Sequence, residues 1–134
     1  MKIQHVAVEY VHQTWPLVED FISWGLPHAN GDYTLEQIKA FVSSGQWMLV
    51  VAVDGNDIRG AMTINFFNRP NDRVAFITTV GGKDIINDDT FAQLKNLVAA
   101  FGATYIEAAG RESVVKMLSQ QGFKEKYRIV GVKL

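Results

Sequence analysis

Apolar residues recur along this chain in two rhythms, and the switches between them predict an order of strands and helices. Lys2–Tyr10 alternates, with Val6, Val8 and Tyr10 on one face, and reads as a strand. Thr14 then has the character of a helix N-cap with Pro16 in the first turn, where a missing N–H costs nothing. Val18, Phe21 and Ile22 form the apolar stripe of that helix, and Gly25 ends it. Leu26–Tyr33 carries Pro, Asn-Gly and Asp and is a loop. Thr34 and Gln37 make a capping box for a second helix, with Leu35, Ile38, Phe41 and Val42 at helical spacing before Gly45.

Three apolar runs follow: Trp47–Val53, Ile58–Phe67 and Val74–Val80. The turns Asp54–Asp57 and Asn68–Asp72 separate them, and Asp-Gly between two such runs is a hairpin signal, so the middle of the chain reads as an antiparallel meander. After a turn at Gly81–Asp89 comes a helix over Thr90–Phe101, with Phe91, Leu94, Leu97, Val98 and Phe101 on one face. Thr104–Ala109 is a short strand and Glu112–Gln121 a short helix. Phe123–Leu134 alternates as one strand, or two joined at Gly131. The order β-α-α-β-β-β-α-β-α-β calls for an α/β fold, a mixed sheet with helices on both faces, in one domain spanning residues 1–134.

Composition narrows the function. Of 134 residues 48% are hydrophobic, enough for one core, and 13 basic against 14 acidic residues leave a net charge of −1. That balance argues against nucleic acid or an anionic membrane as partner. There is no cysteine, which removes thiol catalysis and Cys-zinc sites. His5, His12 and His28 have no metal-ligand spacing, and Trp15, Trp24 and Trp47 lack the interleaved basic residues of a base-stacking surface. No signal-peptide pattern opens the sequence and no run approaches a membrane span, so a cytoplasmic protein is the expectation.

The element order, the Asp54-Gly55 turn with Gly60 on the third strand, and Gly122-Phe123 near the end resemble the GCN5-related N-acetyltransferase (GNAT) superfamily. Other motif positions depart from it. The family's Asn, Ala and Tyr preceding Gly-Phe fall on Arg111, Val114 and Leu118. In the family the fourth strand's backbone holds the pantetheine arm of acyl-CoA, and a following Arg/Gln-x-x-Gly-x-Gly/Ala turn wraps the pyrophosphate. The basic position of that turn falls on Ile85 and the two small positions on Asp88 and Thr90. The resemblance therefore implies acetyl-CoA as the cofactor, with Thr79 and Val80 on the strand and Gly81, Gly82 and Lys83 as a substitute anion nest. Aspartate at position 88 places negative charge where phosphate would sit. Without a ligand, Asp88 or Asn87 serves as a helix cap and Asp89 complements the helix dipole.

Acyl transfer to an amine needs a base for the ammonium and an acid for the leaving thiolate. Leu118 occupies the position of the family's tyrosine acid and cannot donate a proton. Glu107, set on the same face as Tyr105 by strand alternation, is the remaining candidate base, and Tyr127 or Tyr105 the candidate acid; the alternative for Glu107 is a solvated edge glutamate. Small GNAT-like proteins with eroded motifs resemble those of tailed bacteriophages. The resemblance thus implies weak or absent transferase activity and action through a protein partner, as a virion or host-directed component. An active N-acetyltransferase, a small-molecule sensor using the cleft between the fourth and fifth strands, and self-association through exposed edge strands are the other readings.

Overall fold

A computed structural model describes residues 1–134. Five strands, β1 (Lys2–Val6), β2 (Trp47–Asp54), β3 (Asp57–Asn68), β4 (Arg73–Gly82) and β5 (Tyr105–Ala108), form one sheet in the order β1-β2-β3-β4-β5. The first four are antiparallel and β5 joins β4 in parallel. Helices α1 (Val8–Gly25) and α2 (Leu35–Ser43) precede β2, α3 (Asp88–Ala100) links β4 to β5, and α4 (Glu112–Ser119) follows β5. No helix is long and apolar enough to cross a membrane.

The sheet separates two apolar clusters. On one face Val11, Trp15, Val18 and Ile22 of α1, with Ile38 and Val42 of α2, pack on Leu49, Val51 and Ala61. On the other, Phe91, Leu94 and Val98 of α3 meet Met48, Val50, Met62, Ile64, Ala75 and Ile77. Strand β2 is buried on both faces from Trp47 to Ala52, which explains why its sequence is a continuous apolar run rather than an alternation.

Three sequence expectations change here, the first being that β1 stops at Val6 rather than reaching Tyr10. Helix α1 begins at Val8, not Thr14, and Pro16 lies inside it. The buried residues Val11, Trp15, Val18 and Ile22 fall at helical spacing through the proline, and their burial outweighs the hydrogen bond it removes, a cost of about 3 kcal/mol. The strand expected over Phe123–Leu134 does not form: α4 is the last regular element. Phe123 packs beside Phe91 with ring centroids 5.3 Å apart, while Ile129, Val130, Val132 and Leu134 are almost wholly exposed. Alternation specifies a strand only where an edge and a buried face receive it.

The two sheet edges are treated differently. At β1, Gln93 of α3 acts as a strand would, accepting from the Ile3 N–H at 2.9 Å and donating to the Met1 carbonyl at 2.8 Å. At β5, no main-chain hydrogen bond reaches Tyr105–Ala108 from the side away from β4.

Candidate functional site

The end of β4 is shaped by a bulge. Thr63 pairs with Thr79 but Ile64 with Ile77, leaving Thr78 as the extra residue. The buried hydroxyls of Thr63, Thr78 and Thr79 satisfy one another at 2.6 Å and 2.5 Å, and Thr78 also donates to the Thr63 carbonyl at 3.0 Å. The pairing of β4 with β5 stops one residue before the bulge, at Ile77 and Ala108. Beyond it the two strands are no longer joined, and Thr78–Gly82 runs on against β3 alone.

Gly81 and Gly82, expected in a turn, belong to β4 and pair with Ala61 and Gly60. A Cβ at Gly81 would overlap the main-chain carbonyl of Phe21 in α1, and one at Gly60 would meet the Gly81 carbonyl at 2.7 Å and the Ile85 side chain at 2.7 Å. These glycines serve close packing of strand on helix and strand on strand. Of the five cofactor-binding candidates, Thr79 is buried with its hydroxyl on Thr63, Val80 is half-buried against the α3-side core, and Lys83 alone stands in the turn.

That turn closes on itself. Asn87 accepts from the Thr90 N–H at 2.9 Å, Thr90 Oγ1 accepts from the Asn87 N–H at 3.0 Å, and the Thr90 hydroxyl donates to the Ile85 carbonyl at 2.6 Å. Asn87 is therefore the cap, one of the two residues the sequence offered. Ile85, at the position where the family carries a basic residue, is buried. Asp88 accepts from Gln121 at 3.2 Å and Asp89 from Gln93 at 3.2 Å. A pyrophosphate brought here would meet three carboxylates, Asp84, Asp88 and Asp89, with Lys83 as the basic residue in the turn. With three carboxylates against one lysine, the residues do not fit the polyanionic part of acyl-CoA, whose binding needs positive potential.

The candidate base lies elsewhere. Glu107 pairs with Phe76 of β4, so Val80 is four residues further along, roughly 13 Å at the rise of a strand. Its carboxylate is buried, at 8% exposure, and accepts from Arg69 Nε at 3.1 Å, Arg69 Nη2 at 2.8 Å and Lys126 Nζ at 2.8 Å. Burial pushes the Glu107 carboxyl up, but the hydrogen bonds and charges of Arg69 and Lys126 outweigh it and hold it below the ordinary value of 4.5. The hydrogen bond to Glu107 in turn raises Arg69 and Lys126, keeping both charged. In this arrangement Glu107 is an ion-pair partner, and proton abstraction would require release of both cations.

Tyr105 does share the Glu107 face: Lys126 Nζ sits 4.5 Å from its ring centroid. Tyr127 is exposed, with its ring centroid 5.9 Å from the same ammonium. The structure thus gathers Glu107, Tyr105 and Tyr127 around Lys126 and keeps Thr79–Lys83 at the far end of β4. Arg69 and Lys126 had no signal in the sequence. They lie 38 and 19 residues from Glu107, one in a turn and one in a charge-rich run.

No protein-family model matches the sequence, and no curated protein sequence matches it. Solved structures match the fold. A ribosomal-protein-alanine N-acetyltransferase from Brucella melitensis biovar Abortus 2308 superimposes with a TM-score of 0.67 at 9% identity, over 100% of both chains. A predicted acetyltransferase from Clostridium acetobutylicum, solved with acetyl-CoA, gives 0.67 at 11% identity, over 98% of this chain and 95% of that one. An aminoglycoside acetyltransferase from an uncultured soil metagenomic sample, solved with trehalose, gives 0.68 at 13% identity, over 99% and 95%. The bulged and parting β4, the parallel β5 and these whole-chain matches together give the chain the fold of the GNAT acetyltransferases.

Proposed function

We propose that this chain is a GNAT-fold protein with weak or absent acetyltransferase activity that works by binding a protein partner. The observation that carries this reading is the turn into α3. The N-cap and Thr90 occupy each other's hydrogen-bonding groups, and the surrounding charges are acidic where a pyrophosphate would need positive potential. The engagement of Glu107 by two cations supports it from the side of the chemistry. Fold alone assigns no activity, since one fold carries many functions.

The second reading is an active acetyl-CoA-dependent N-acetyltransferase on an unknown amine. It is favoured by one observation, the parting of β4 from β5 beyond Ile77, which leaves a strand edge free for an extended ligand. Calorimetric titration with acetyl-CoA separates the two. The proposed function predicts no heat up to about 1 mM ligand at moderate salt, and binding only after Asp88→Gly removes one carboxylate. Micromolar binding by the unaltered chain, with acetyl transfer to amines that Glu107→Gln abolishes, overturns it.

A further inference from the structure

We infer that the outer face of α1 docks an amphipathic helix with a basic polar face, supplied by a protein partner. The inference rests on the proposed function and deepens it by giving the chemistry of that partner. Helix α1 carries two apolar stripes. Val11, Trp15, Val18 and Ile22 are buried against the sheet. Tyr10, Leu17 and Trp24, spaced by seven residues, are instead exposed at 54%, 63% and 62%. A step of seven residues falls only about 20° short of two full turns. The three side chains therefore lie in one row, about 21 Å long at the rise of a helix. Half-buried Phe21 borders the row, and its ring meets Trp24 edge-on with centroids 5.4 Å apart. Exposed apolar side chains are ordinary when scattered singly; three in a row beside a fourth mark an interaction face.

The charges around the row select its occupant. Ile3–Ile38 contains no lysine or arginine and five carboxylates, Glu9, Glu19, Asp20, Asp32 and Glu36. The whole chain has 13 basic and 14 acidic residues, so the remainder holds 13 basic against nine acidic. The near-zero net charge thus conceals an acidic layer, formed by α1 and α2 on one face of the sheet. Glu9 and Asp20 stand roughly 60–80° round α1 from the row, on the side away from the buried stripe. At the Trp24 end lies an open cleft of about 400 Å³, where Arg59 and Lys83 are balanced by Asp54 and Asp84. The acidic character therefore resides along the helix itself.

A partner helix of about 14 residues would cover the row with its apolar face and set its lysines or arginines beside these carboxylates. Such complementarity fixes the partner's charge more than its affinity. A second copy of this chain is a poor occupant. Paired through the same row by a two-fold axis, it would bring Glu9, Glu19 and Asp20 against their own copies.

The test uses Trp24 as its reporter, since Trp15 and Trp47 are buried. The probe is a peptide of leucine and lysine alone, about 18 residues long, with leucine at helical spacing. Added to the full chain, it is expected to shift the tryptophan emission to the blue, saturating in the micromolar range. Affinity should fall at least tenfold in Leu17→Ser, and at least tenfold again between about 50 and 500 mM salt. The same composition in scrambled order, and a leucine–glutamate peptide, should each bind at least tenfold more weakly. The double variant Glu9→Lys, Asp20→Lys should reverse the preference between the lysine and glutamate peptides. All these positions are exposed, and an unchanged thermal midpoint checks that each variant folds. No shift up to 200 µM peptide overturns the inference, as does equal binding of the scrambled peptide or unchanged affinity in Leu17→Ser. A full chain that is already a dimer, and that Leu17→Ser makes monomeric, gives the face to a second copy and overturns it too. Failure here with no heat from acetyl-CoA removes this face and leaves the proposed function standing. Micromolar binding of acetyl-CoA removes the proposed function whatever the peptide does.

Discussion

The two ends of β4 stand in contrast. At the end that leads into α3, the chain is tied to itself: the cap is reciprocal, Ile85 is buried, and Gly81 lies against the α1 backbone. At the β5 end, capacity is left over. A strand edge is bare, and four apolar side chains of the last segment have nothing beneath them. The fold thus fills one end of β4 with its own residues and leaves the other end unfilled. Function is then better sought in the unfilled region than in the position inherited from the fold.

The largest effect should come from forcing the closed end apart. Gly81→Val sets a side chain into the Phe21 carbonyl, so α1 must lift from β4. A loss of about 3 kcal/mol or more is expected, read by urea unfolding. A near-neutral result would mean that α1 does not pack closely on β4. The second effect is at the other end. Glu107→Gln leaves Arg69 and Lys126 without their carboxylate, and the thermal midpoint should fall by roughly 5 °C.

The same variant sharpens the comparison through pH. The folded-state pKa of Glu107 is depressed, so its stabilisation is complete above the ordinary value of 4.5 and is lost as pH falls through the folded value. Unfolding free energy of the unaltered chain should therefore drop more steeply below about pH 5 than that of Glu107→Gln. Parallel acid limbs would show that the two cations do not hold the carboxylate down.

Much of this fold was legible because its signals are local. Thr34 and Gln37 announce α2, and Asp54-Gly55 announces the β2–β3 hairpin; each involves neighbours within a few residues. What failed was decided by distant contacts. Thr14 and Pro16 imitate a helix start, but Val11 and Trp15 are buried and carry the helix back to Val8. The last segment alternates but takes no place in the sheet. At the candidate site, the departures at Ile85 and Asp88 were readable as a charge mismatch. The capture of Glu107 by Arg69 and Lys126 depends on how the turn between β3 and β4, β5 and the last segment converge, which no spacing records.

The closed turn is tested most directly by following backbone amide resonances while coenzyme A is added to about 1 mM. The account predicts that the amides of Lys83 through Thr90 do not move. Saturable shifts at Asp88, Asp89 and Thr90 at micromolar ligand would contradict it, because they would show that the helix start opens to a pyrophosphate.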